Sequence, residues 1–193
     1  MAVKVGITGG IGSGKTYVCR QLEQMGYDVF YCDDEARRLM AEDSTLRTEI
    51  TALVGTSAYD DVGNLNKPVL SAFIHKSAEH AEAIDRLVHP LVRRAFREWC
   101  AEREAKEYVF MECALMYEAH FDEEVDSVVC VVSPMKLRLE RLRRNRGISE
   151  RQAREWMQKQ MGEEEKASRA NIIIYNREGE EPDVKYIFKE INK

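Results

Sequence analysis

Gly9-Gly10-Ile11-Gly12-Ser13-Gly14-Lys15-Thr16 satisfies every fixed position of the pattern G-x-x-x-x-G-K-[ST]. An apolar run, Val3-Lys4-Val5-Gly6-Ile7, precedes the stretch, and a helix-compatible run from Tyr17 to Gln24 follows it. Glycines permit positive backbone angles and close approach, so successive N–H groups can turn inward around phosphate oxygens. The following helix adds the positive end of its dipole at the same point. In such a loop Lys15 reaches the β- and γ-phosphates of a nucleotide, and the Thr16 hydroxyl holds Mg²⁺.

Working outward, Val29-Phe30-Tyr31 reads as a second short strand, with Asp33 and Asp34 at its C-terminal end and a helix from about 34 to 41. Strand, glycine loop, helix and strand form a βαβ unit, which predicts a parallel sheet. Three more strands are expected at Tyr108–Cys113, Ser127–Val132 and 172–175, the second a continuous apolar run typical of a buried parallel strand. The fold class is therefore α/β: a P-loop nucleotide-hydrolase or kinase fold with a five-stranded parallel sheet flanked by helices.

Residues 44–105 carry no convincing strand and read as a helical insertion that recognises a second substrate. Ser44 is placed to cap its first helix, and Pro68 to start another. Ile84, Leu87, Val88, Leu91, Val92, Ala95, Phe96 and Trp99 then follow helical spacing, marking one buried face. Pro90 falls inside that run and is expected to kink it. A helical lid is expected over about 136–162, its two helices broken at Gly147 and restarted at Ser149-Glu150, and a last helix over 180–192.

At 193 residues the chain suggests a single domain with a core that needs no staples. Its net charge of −5 argues against a general nucleic-acid binder. Five cysteines without a C-x-x-C pair give neither a disulfide framework nor a zinc site, and point to buried thiols in a reducing, cytoplasmic setting. We expect no secretory leader and no membrane span, and a monomer as the working unit.

Open α/β sheets bind ligands outside their carboxyl edge, so the class of chemistry must come from the other strand ends. Asp33 and Asp34, Glu112 and Ser133 all fall there. A guanine-reading N-K-x-D is missing: the only Asn66-Lys67 is followed by Pro68-Val69, in a polar loop. A small-molecule kinase suits the length, and a kinase uses a carboxylate to align the acceptor hydroxyl and take its proton. Asp33, directly after the strand taken to lie next to the P-loop strand, is the candidate base; the alternative is that both aspartates only cap the next helix. Between Lys136 and Arg154 eight basic residues (Lys136, Arg138, Arg141, Arg143, Arg144, Arg146, Arg151, Arg154) face two acids, Glu140 and Glu150. Arginines closing over the site can stabilise the transferred charge. Arg141 and Arg144, three apart on one face, are the chosen subset, the others being surface charge. Arg37 and Arg38 could meet acceptor phosphates, though not both at once. His75, His80 and His120 have no metal spacing, and His89 is either a satisfied core histidine or a ligand group.

With these pieces in place the chain resembles the dephospho-coenzyme A kinase family along nearly its whole length. Gly6 to Lys15 is close to the family's opening. Asp33-x-x-Ala36-Arg37 matches the later part of its D-x-D-x-x-A-R, and Leu87-Val88-His89-Pro90-Leu91 its L-x-H-P. Leu115-Met116-Tyr117-Glu118 stands at its P-L-L-[FY]-E segment. Arg141-Leu142-x-Arg144, Gln160, Glu165-Lys166, Ala170 and Asn176 fit its lid and C-terminal pattern. The chain departs at Tyr31, where the family often has its first aspartate, at Glu112 for Asp, at Ala114 for Pro and at Asn171 for Asp.

The resemblance implies transfer of the ATP γ-phosphoryl to the ribose 3′-hydroxyl of dephospho-CoA, the last step of coenzyme A synthesis. It implies that Lys15 and the loop, with Asn176, hold ATP, and that Thr16 and Glu112, the latter directly or through water, hold Mg²⁺. Asp33 would be the base, Arg141 and Arg144 would close over the phosphates, and Arg37, His89 and Glu118 would face the acceptor. The rivals are another small-molecule kinase, for a nucleoside or nucleotide, and a non-catalytic module that senses nucleotide.

Overall fold

The computed structural model describes residues 1–193. The chain divides into two compact units, one formed by 1–31 and 100–193, the other by 32–99.

The first unit holds the sheet. Its strands β1 (Val3–Thr8), β2 (Asp28–Tyr31), β3 (Tyr108–Glu112), β4 (Ser127–Val132) and β5 (Ile172–Tyr175) are all parallel, in the order β2-β3-β1-β4-β5. The five residues of β3 are all buried, as an inner parallel strand requires, and the four-residue strands β2 and β5 form the edges. The order corrects one expectation. β2 does not lie beside β1, because β3 inserts between them, so the helix after β1 carries the chain past one strand position. The neighbour of β1 is therefore the strand that ends in Glu112, whose register partners are Ile7 of β1 and Tyr31 of β2.

Helix α1 (Lys15–Gln24) buries Val18, Cys19 and Leu22 in one cluster with Val5, Ile7, Phe110, Val129, Val131 and Ile187. Tyr27, Tyr108, Phe110 and Phe188 close this core as edge and stacked aromatic pairs, Tyr27 lying 4.8 Å from Phe188 between ring centroids. None of the five cysteines is in a disulfide; four are buried, and burial pushes the Cys130 thiol up to about 11, as expected for an inert core residue.

The second unit is helical apart from its turns and one isolated antiparallel bridge, Tyr59 with Leu65. It comprises α2 (Cys32–Glu42), α3 (Ser44–Val54), α4 (Lys67–Ile74) and most of α5 (Ala78–Ala101). It begins at Cys32, earlier than the 44–105 read from sequence. The cap of α3 is Asp43 rather than Ser44: the Asp43 carboxylate accepts the Leu46 N–H at 2.9 Å. Asn66 caps α4 in the same way, with Pro68 in its first turn. Helix α5 buries Ile84, Val88, Val92 and Phe96 and continues through Pro90 without ending, 24 residues in all.

The C-terminal part of the first unit adds α6 (Met135–Arg146), α7 (Glu150–Gln158), α8 (Glu163–Arg169) and α9 (Lys185–Ile191). Gly147 ends α6 in the left-handed conformation, and the Ser149 hydroxyl caps α7. Helix α8 is absent from the sequence reading because it has no apolar stripe, its one buried residue being Lys166; its three consecutive glutamates suit the first turn of a helix. Helix α9 is shorter than the expected 180–192.

Candidate functional site

Parallel strands put all five carboxyl ends on one edge of the sheet. The loop 9–14 after β1, Glu112 at the end of β3, Ser133 after β4 and Asn176 after β5 therefore share it. The loop feeds directly into α1, whose first residue is Lys15 and whose preceding residue, Gly14, has φ 98°. A side chain at Gly14 would be strained by that angle and would run into the Asn176 amide.

The loop is held by side chains at each step. Lys15 Nζ donates to Gly9 O at 2.9 Å and to Gly10 O at 3.4 Å, and lies 4.0 Å from Glu112 Oε1. Arg138 Nε donates to Ile11 O at 2.9 Å, and Ile11 N–H donates to Gln160 Oε1 at 3.1 Å. Arg141 Nη1 donates to Ser13 O at 3.0 Å and Ser133 Oγ at 3.1 Å, while its Nη2 donates to Asn176 Oδ1 at 2.9 Å. Asn176 Nδ2 returns a bond to Ser13 O at 2.9 Å. Burial, then the nearby Arg144 charge, lowers the pKa of Arg141. Thr16 is exposed in the first turn of α1.

Of the sequence-assigned residues, Lys15, Arg141, Asn176 and Glu112 meet at this edge. Asn176 spends its amide on Ser13 and Arg141, which makes it a support of the loop. Arg144 is exposed and donates to Asn145 at 3.4 Å. Glu118 is placed elsewhere in the unit: its carboxylate pairs with the fully buried Lys166 at 2.9 Å and accepts the Met161 N–H at 2.8 Å. Lys166 also donates to Ala114 O, so the pair ties the segment after β3 to the start of α8.

Tyr31, in place of a second carboxylate, brings no anion. Burial, then the Glu23 charge and a hydrogen bond to Glu23, push its phenol upward. In the helical unit, Asp33 is exposed in the first turn of α2, two residues beyond the end of β2. Arg37 pairs with Asp34, and Arg38 with Glu35 at 2.6 Å and Glu42 at 2.8 Å. His89 Nε2 lies 3.5 Å from Asp85 Oδ1; burial lowers the histidine pKa against the pull of Asp85.

Two loop-holding residues escaped the choice made from sequence. Arg138 belongs to the basic run but was passed over for Arg144, although both lie three residues from Arg141 along the helix face. The sequence-level signal is proximity to the strand end: Arg138 is nearly two turns nearer to Ser133 than Arg144 is. Gln160, which accepts the Ile11 N–H, fits the family pattern but carries no site role from the sequence.

A model of the dephospho-CoA kinase family matches residues 3–181. The dephospho-CoA kinase of Bacteroides fragilis is 39% identical over 191 residues, 99% of this chain and 92% of that protein. The dephospho-CoA kinase of Salinibacter ruber is 41% identical over 175 residues, 89% of this chain and 87% of that one. Among solved structures, a Thermus thermophilus protein superimposes with a TM-score of 0.84 at 29% identity, covering 99% of this chain and 96% of its own.

Proposed function

The chain belongs to the dephospho-CoA kinase family, and from that premise we propose that it transfers the ATP γ-phosphoryl to the ribose 3′-hydroxyl of dephospho-CoA, giving coenzyme A and ADP. The observation that carries the reading is the loop 9–14 with Lys15, anchored from four sides at the carboxyl edge of the sheet.

Phosphoryl transfer asks for positioning and for charge placed where the transition state develops it. The loop N–H groups and the N-terminus of α1 receive the β- and γ-phosphates. Lys15, now donating to Gly9 O and Gly10 O, exchanges those carbonyls for phosphate oxygens. Arg141 stands at the same loop and balances charge that builds on the transferred group, and Arg144 adds a second positive charge beside it. Thr16 and Glu112 are hard oxygen donors of the kind Mg²⁺ takes, and that ion keeps several waters and phosphate oxygens rather than demanding a protein cage. When bound, Mg²⁺ neutralises β- and γ-phosphate charge. Asp33 takes the proton of the acceptor hydroxyl, and Arg37, His89 and Glu118 contribute to acceptor binding.

No helix is long and apolar enough to cross a membrane. Five cysteines without a disulfide suit a reducing, cytoplasmic setting, and a monomer is the working unit. The test is a coupled ADP-release assay with dephospho-CoA and with nucleosides as acceptors. Turnover of dephospho-CoA alone is expected; turnover of nucleosides but not dephospho-CoA would make the chain a different small-molecule kinase.

A further inference from the structure

The peptide of Ile11, at the apex of the nucleotide loop, is bound at both of its polar ends by side chains from far along the chain. Its N–H goes to Gln160, in the turn between α7 and α8, and its C=O accepts from Arg138 of α6. Arg138 is 5% exposed and pairs through Nη1 with Glu163 Oε1 at 3.2 Å, the first residue of α8. The fit with the loop is close. A Cβ at Gly10 would strike the Arg138 guanidinium, and one at Gly12 would stand 2.9 Å from the Arg138 carbonyl oxygen.

A buried ion pair loses hydration on both partners and is weak as a source of stability alone. A glycine-rich loop, for its part, loses more conformational freedom than any other when it is ordered. We infer that Arg138, fixed by Glu163 and assisted by Gln160, is a positioning residue that pre-orders the nucleotide loop through the Ile11 peptide, and so sets the affinity for the nucleoside di- and triphosphate. The ordering cost then falls on folding rather than on binding, which strengthens the complex without any contact to the nucleotide. The inference rests on the kinase reading for its consequence in catalysis, but it concerns the nucleotide side only.

The experiment measures ADP binding by calorimetry with no acceptor present. Arg138→Met alone would strand the Glu163 charge, so the informative variant is Arg138→Met with Glu163→Met, which replaces the pair by apolar groups of similar reach. Expected are a dissociation constant for ADP raised about tenfold, the loss of one hydrogen bond from a charged donor, a thermal midpoint no lower than the parent's, and a KM for dephospho-CoA unchanged. A folded double variant that binds ADP as tightly as the parent would overturn the inference. If the double variant does not fold, Gln160→Ala carries the test: weaker ADP binding supports the grip on Ile11, and unchanged binding overturns it. A parent that binds ADP but does not turn over dephospho-CoA would refute the acceptor reading and leave this one standing.

Discussion

The loop at 9–14 and the first turns of α2 both carry charges assigned to phosphoryl transfer, yet they are built in opposite ways. In the loop, the carbonyls of Gly9 to Ser13 each accept a side-chain bond, and Arg138, Arg141 and Asn176 come from more than a hundred residues away. On α2 the charges other than Glu35 are exposed, and each ion pair joins residues three or four apart. Exposed local pairs contribute little, about 0–1 kcal/mol each. The nucleotide side is thus ordered by the fold, whereas the acceptor-side charges are held by little more than their own helix. A substitution in the first region should disturb binding through geometry; one in the second should remove only the charge that was there.

The largest effect is expected from Asp33→Asn. Loss of the base should lower kcat by about 10²–10⁴, while ADP affinity stays as in the parent, because nothing in the loop depends on that carboxylate. Single-turnover rates and ADP calorimetry together check this. Lost ADP binding would break the division between the two regions, and unchanged turnover would leave Asp33 a helix-capping residue. Next comes Lys166→Met. It leaves Ala114 O without its donor and the exposed Glu118 carboxylate to water, and should cost about 1–3 kcal/mol of stability in urea denaturation. Arg141→Ala removes bonds to Ser13 O, Ser133 and Asn176 together, and should raise the ADP dissociation constant about tenfold or more. Arg38→Ala, by contrast, should change stability by less than about 1 kcal/mol and nucleotide affinity not at all.

The same contrast explains what could be read from the sequence. The five strands, the glycine loop and the long apolar stripe of α5 depend on local pattern, and pattern is visible one residue at a time. The strand order was not, because placing β3 between β1 and β2 is decided by which apolar faces pack together across about eighty residues of chain. Within the basic run, composition marked the region but could not choose among its arginines. Arg138 and Arg144 are equivalent in spacing from Arg141, and only the approach of α6 to the loop separates a buried partner of Ile11 from a solvated charge. Glu118 was legible as part of a motif, but its buried partner Lys166 lies 48 positions away, so its placement became visible only once the chain was folded.

The smallest effect belongs to His89 and shows how far a half-buried charge on the helical unit is coupled to its surroundings. Burial favours the neutral ring and holds its pKa below the ordinary 6.5; Asp85 opposes this, and Arg93 adds to it. A depressed value in the folded state means that, between the two values, the unfolded chain binds more protons. Stability is then complete above about pH 6.5 and is lost as pH falls through the folded value. His89→Gln removes that dependence. The stability difference between parent and variant, from urea curves at about pH 7.5, 6.5 and 5.5, should stay level over the first interval and move against the parent over the second. In an Asp85→Asn background the opposing carboxylate is gone, the folded value drops further, and the loss below pH 6.5 should steepen. A difference that instead moved in the parent's favour on acidification would mean that the Asp85 charge outweighs burial, and that the pair is held by attraction across the helix surface rather than by packing.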